Sequence, residues 1–116
     1  MGEYRDDEGL VRVALDGSRV LSDRISAVRE LGGADSPTVL EALVELATCS
    51  DAPAAFAAAV GRSLGQICFR RSQGLDDLVV ARMSGDAYIE YDSEIAQLQK
   101  MMPWSKMRRG TVGSGR

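Results

Sequence analysis

Apolar residues recur along this chain at alternating intervals of three and four, and that period limits the fold more than any other feature of the sequence. Leu21, Ile25 and Val28 form one stripe, and Val39, Leu40, Leu43, Val44 and Ala47 a second. Phe56, Val60, Leu64 and Ile67 form a third, Leu75, Leu78, Val79 and the pair Arg82–Met83 a fourth, and Tyr91, Ile95, Leu98 and Met102 a fifth. An α-helix turns by about 100° per residue, so each set falls on one side of a helix and must be covered by another element. The run from Leu10 to Leu15, LVRVAL, fits a short helix or an alternating strand, and is read as helix because no other segment offers it a partner strand. The expectation is an all-α domain of five to six amphipathic helices, stacked as antiparallel hairpins or gathered into a compact helical bundle.

Helix starts and stops agree with the stripes. Ser36-Pro37 places a capping hydroxyl before a proline whose missing N–H costs nothing at the first helical position, and Ser50-Asp51-Ala52-Pro53 offers a similar start. Gly32-Gly33, Gly74 and Gly85 stand where helices would stop, since glycine accepts the left-handed conformation of a helix C-cap. The intervening connections, about three to six residues long, suit neighbouring helices packed side by side.

With 116 residues there is room for one domain. Charge divides it into three parts. Residues 1–8 carry net −3, residues 9–102 net −4, and residues 103–116 net +4 with no acid at all. The reading is an acidic N-terminal tail at 1–8, a helical body at 9–102 and a basic, flexible tail at 103–116, whose glycine- and serine-rich end at 113–116 is set aside from the fold argument.

Histidine is absent, which removes Ser-His-Asp and Cys-His catalysis, imidazole metal ligation and any side chain that ordinarily titrates near neutrality. Cys49 and Cys68 stand apart, without the paired spacing of a zinc site, and read as buried free thiols. No metal or cofactor is expected. Met1 to Glu8 has no secretory pattern, and the longest uncharged run, Ala52 to Gly61, is about half a membrane span, so a cytoplasmic protein without a membrane span is expected.

One segment repeats. Ala27-Val-Arg-Glu-Leu-Gly-Gly33 aligns with Val60-Gly-Arg-Ser-Leu-Gly-Gln66 at an offset of 33, pairing Arg29 with Arg62, Leu31 with Leu64 and Gly32 with Gly65. Leucine packs inward at such a site, and glycine lets a neighbouring helix approach or the chain turn.

Ala27-Val-Arg-Glu-Leu31-Gly32, the turn Asp35-Ser-Pro37 and the helix Leu40-Glu-Ala-Leu43 resemble the short HEAT-like repeats of bacterial α-solenoid proteins, over roughly residues 23–83. The resemblance implies helix pairs at about 22–50 and 52–84, a final helix at about 86–102, and a scaffold for binding another macromolecule, commonly a protein. The second copy departs from the pattern. Gly61 replaces the counterpart of Val28, and Gly74-Leu-Asp-Asp replaces the proline turn.

Between residues 76 and 94 six carboxylates, Asp76, Asp77, Asp86, Glu90, Asp92 and Glu94, face a single Arg82. A solvated acidic face explains them without any ligand, and a basic partner would relieve the repulsion among them. The calcium loop pattern is missing. Carboxylate catalysis needs a cleft that separates two acids and shifts one pKa, and six aromatic residues give little to line one, so the chain is read as non-catalytic with no small-molecule substrate. Arg70-Arg71, following the third stripe, suits the C-terminal end of its own helix. Lys106, Arg108 and Arg109, next to Trp104, could touch phosphates or an acidic membrane surface, or the tail could fold back on the acidic region of its own or a neighbouring chain, which would make residues 100–109 a self-association element. Nucleic acid is disfavoured by the acidic body.

The functional expectation is a protein-binding module. In its most specific form it is an immunity or inhibitor protein that sequesters a basic partner, such as a toxin, through the 76–94 face, because complementary charge speeds encounter. An adaptor or assembly subunit of a larger complex fits the same residues, and a HEAT-like protein acting on nucleic acid fits them less well.

Overall fold

The computed structural model describes residues 6–34 and 36–101, which form six helices and no strand. These are α1 (Asp7–Leu15), α2 (Leu21–Leu31), α3 (Pro37–Ala47), α4 (Ala54–Arg71), α5 (Asp77–Arg82) and α6 (Gly85–Met101). The segment that fitted helix or strand is helix: Leu10, Val13 and Ala14 of α1 are buried. Asp6 caps α1 by accepting the Gly9 N–H at 2.9 Å, and Asp7 and Glu8 occupy its first turn. Residues 6–8 are therefore helix start and not tail, since carboxylates favour the positive end of a helix.

α4 organises the rest. Eleven of its eighteen residues are buried, including Gly61, Ser63 and Gly65, so it is covered around most of its circumference. α2 and α3 pack on it, α6 makes the most extensive contact with it, and α1 rests on α2 and α3. The architecture is a compact bundle around one central helix. Phe56, Leu64 and Ile67 of α4 meet Val28 and Leu31 of α2 and Val39 and Leu43 of α3 in a single core. Each such side chain contributes about 1.5–3 kcal/mol on leaving water. Leu31 and Leu64 are both fully buried, but Gly32 ends α2 whereas Gly65 lies within α4, against α6.

Helix ends are closed by residues distant in sequence. Arg24 of α2 donates two hydrogen bonds, at 3.0 and 2.9 Å, to the Ala14 carbonyl at the end of α1, while its guanidinium lies over the Phe56 ring at 4.3 Å. Arg70 of α4 donates to the Gly32 and Ala34 carbonyls at 2.8 and 2.6 Å, so it closes α2 and not its own helix. Ser63, buried, donates its hydroxyl proton to the Val28 carbonyl at 2.8 Å. Ser84 donates its N–H to the Ala47 carbonyl at the end of α3, at 2.9 Å, and its hydroxyl accepts the Ala87 N–H at 3.3 Å at the start of α6.

Four local expectations change. Gly32 ends α2 with a right-handed backbone, and the left-handed C-cap is Ser72 after α4, with φ 54°. Gly85 opens a helix and does not close one. Pro53 is the N-cap of α4 and makes no side-chain cap, whereas Ser36 accepts the Thr38 N–H at 3.1 Å ahead of Pro37 as expected. Cys68 is buried, but Cys49 is exposed because it lies beyond the last turn of α3, in the connection to α4; both thiols are free. No helix among the described residues is long and apolar enough to cross a membrane.

Candidate functional site

The six carboxylates of residues 76–94 do not share one surface. Asp76 and Asp77 stand exposed at the start of α5, where Asp77 suits the positive helix end. Asp86, Glu90, Asp92 and Glu94 lie on α6, and the docking of that helix on α4 separates them.

The inward side of α6 carries Ala87 and Tyr91, both buried, with Ile95 packed against the core. Gly61 and Gly65 of α4, four residues apart, form the surface against which it lies. A Cβ added at Gly61 would run into the Ala87 carbonyl, with the carbonyl carbon at 2.8 Å and Cα at 2.9 Å; one at Gly65 would sit 3.0 Å from the Tyr91 carbonyl oxygen. Glycine is required at Gly61 because helix backbone, and not a movable side chain, fills the space; at Gly65 the Glu94 side chain shares it with the Tyr91 carbonyl.

Glu94 belongs to this contact. Its side chain is only 14% exposed; one carboxylate oxygen lies 3.4 Å from Nε of Arg62, and the other accepts from Nε2 of Gln66 at 3.2 Å. The expectation that it forms part of an open acidic face is corrected. At helical spacing it falls on the α4 side, and a carboxylate near a tightly packed contact takes the cation available across it.

Tyr91 organises the loop before α5. Its hydroxyl accepts the Leu75 N–H at 3.0 Å, and burial pushes its pKa up to about 12. Burial likewise raises the Cys68 thiol beside it. Cys68, Arg71, Leu75 and Asp76 are among the residues lining an adjoining recess of about 270 Å³. A thiol held above its ordinary value carries less of the thiolate that acts as nucleophile.

The outward side of α6 is different. Asp86, Ile89 and Asp92, at successive intervals of three, stay away from the α4 contact and are exposed; Glu90 is half-buried at one edge. Ile89 is 60% exposed, and on α5 Leu78, beside Asp77, is 71% exposed. An aliphatic side chain flanked by carboxylates is suited to a ligand with a cationic group next to an apolar one. Ile89 lies outside the Tyr91, Ile95, Leu98 stripe, so the helical period gives it no place in the core, a signal in the sequence beside the more conspicuous acids. Arg29 and Arg62, paired by the repeat, line one recess with Ser63 and Gln66 between α2 and α4.

Among the described residues no group of three or more cysteine or carboxylate side chains is placed to hold a metal ion. Trp104, Lys106, Arg108 and Arg109 lie outside the described residues, as does most of the 100–109 segment; Lys100 and Met101 complete the last turn of α6. Compared with protein-family models, with curated proteins and with solved structures, the chain shows no significant match to any of them.

Proposed function

We propose that this chain is a protein-binding module that receives a basic partner on the outward face of α6. The observation that carries the reading is Ile89, an exposed aliphatic side chain on α6 between the exposed carboxylates Asp86 and Asp92. Aliphatic anchors inside a charged surround are how interfaces combine affinity with orientation, and the carboxylates would speed encounter with a positive surface. The most specific form is a cytoplasmic immunity or inhibitor protein that sequesters a basic toxin; an adaptor within a larger assembly uses the same face. The HEAT-like resemblance around Ala27–Gly32 supports a scaffold of this kind. The test compares affinity capture from native lysate by the full chain and by a variant carrying Asp86→Lys, Ile89→Ser and Asp92→Lys, with circular dichroism to confirm that both are helical. A basic protein retained by the first and lost by the second is expected. Equal retention by a folded variant, or no basic protein in either, overturns the reading.

A further inference from the structure

α5 spans a gap in the packing. None of its six residues is buried, and contact with the core is made by Leu75 just before it and Met83 just after. The recess of about 270 Å³ opens here, between Leu40 of α3, Cys68 of α4, and Leu75 and Val79 at α5. Leu40, Leu75 and Val79 are each half-buried and line it with apolar surface.

Its polar lining carries both signs of charge. Arg71 ends α4, Asp76 is the N-cap of α5, and both are exposed. Among the described residues neither forms an ion pair, with the other or with a third group, and the Asp76 side chain makes no cap on α5. The loop that joins them is anchored. Gln73 donates its N–H to the Cys68 carbonyl at 3.1 Å, and Leu75 donates its own to the Tyr91 hydroxyl at 3.0 Å. The guanidinium and the carboxylate are thus presented by a held segment, beside one apolar recess.

Size and chemistry select an occupant. Pockets for drug-sized ligands begin at about 300 Å³, so this recess suits a somewhat smaller molecule. Arginine receives a carboxylate through paired N–H donors, aspartate receives an ammonium, and the aliphatic lining favours an aliphatic side chain. A simple fatty acid would leave Asp76 without a counter-charge, and a simple amine would leave Arg71 without one. A free aliphatic α-amino acid brings all three groups together on one carbon.

We propose that the recess between α3, α4 and α5 binds a free aliphatic α-amino acid of about the size of leucine, with its carboxylate on Arg71, its ammonium on Asp76 and its side chain against Leu40, Leu75 and Val79. The site shares no residue with Asp86, Ile89 and Asp92, so it stands or falls separately from partner docking on α6.

The test is a titration of the full chain with L-leucine, followed by amide NMR shifts. Saturable shifts are expected at Leu40 and across residues 68–79. Isocaproate, which lacks the amine, and isoamylamine, which lacks the carboxylate, should each bind at least about tenfold more weakly, because each leaves one charge unmet. Glycine, without the aliphatic group, should also bind more weakly. Arg71→Gln and Asp76→Asn, both at exposed positions and checked for helix by circular dichroism, should each lose about tenfold. Val79→Phe, which fills the recess, should abolish saturation while the helices persist. No saturable shift with leucine, shifts confined to other residues, or unaltered affinity in any of the three folded variants overturns the proposal. Isocaproate binding as well as leucine overturns it too, since Asp76 would then have no part in recognition.

Discussion

Gly61 of α4 lies directly against the Ala87 carbonyl of α6, with no room between them for a methyl group. Gly61→Ala must therefore push the two helices apart or shift α6 along its axis, and either movement loosens Tyr91 and Ile95 as well. A loss of about 1–3 kcal/mol in urea unfolding is expected, the usual range for overpacking a core. Gly85→Ala, where nothing lies within 4 Å, is the control and should cost nothing. Equal effects at the two positions would show that the helices are not held at this separation.

Ser72 is the one non-glycine residue among those described with a positive φ. Ser72→Gly removes the steric cost of that conformation, partly offset by the greater freedom of glycine in the unfolded chain, and should stabilise the domain by about 0.5–1 kcal/mol. Thermal unfolding read by circular dichroism checks it.

Arg24 has two separable roles, as a double donor to the Ala14 carbonyl and as a cation over Phe56. Arg24→Met keeps length and loses both, with an expected cost of about 1–2 kcal/mol. Arg24→Lys keeps the charge without the planar fork and should recover only part of it. Complete recovery by lysine in chemical denaturation would assign the effect to charge alone.

The two thiols should react at very different rates. Cys49 is exposed, whereas Cys68 is buried and its thiol is held above the ordinary value. A thiol reagent in native buffer is expected to modify one cysteine at once and the second only as the domain opens, with peptide mapping placing the fast site at Cys49. Two fast sites would contradict the packing of α4 against α6.

Tyr91 predicts the alkaline limb of stability. Burial raises it from 10.0 to about 12, so between those values the folded state keeps a proton that the unfolded chain releases, and stability falls as pH rises through the window. Below pH 10 the contribution is fully present. Tyr91→Phe deprives the Leu75 N–H of its acceptor and should cost about 1 kcal/mol at neutral pH. Unfolding curves of the two proteins should then converge above pH 10, because the phenylalanine chain has no proton to lose there.

Most of the fold was legible because the helical period is a property of single segments. The stripes through Val28, Val39, Leu43, Phe56, Val60 and Leu64 coincide with fully buried or nearly fully buried positions, and Ser36-Pro37 begins a helix as its chemistry requires. The losses occurred where the outcome depends on two segments at once. Gly61 reads as a blemish in a repeat until α6 is placed on it, and Glu94 reads as one more surface acid until Arg62 and Gln66 are seen opposite. Arg70 was expected to serve the end of its own helix and instead reaches α2. Leu78 was expected on a buried stripe, but α5 runs only six residues and leaves it in solvent. The acidic character of residues 76–94 was plain in the sequence, and the division of those acids between a helix start, an internal contact and an outward face was not.

The borrowed helix ends have a consequence for how the chain matures. The Ala14 carbonyl waits for Arg24, the Gly32 and Ala34 carbonyls wait for Arg70, and the Ala47 carbonyl waits for Ser84. During synthesis each of the first three helices therefore emerges from the ribosome with local caps, such as the Thr48 hydroxyl on the Val44 and Glu45 carbonyls, and gains its last partner only when a later stretch clears the exit tunnel. A nascent chain halted before Ser84 would lack the clasp on α3 and all of α6 that normally covers α4, so a pause there would leave the glycine groove open to proteases and chaperones.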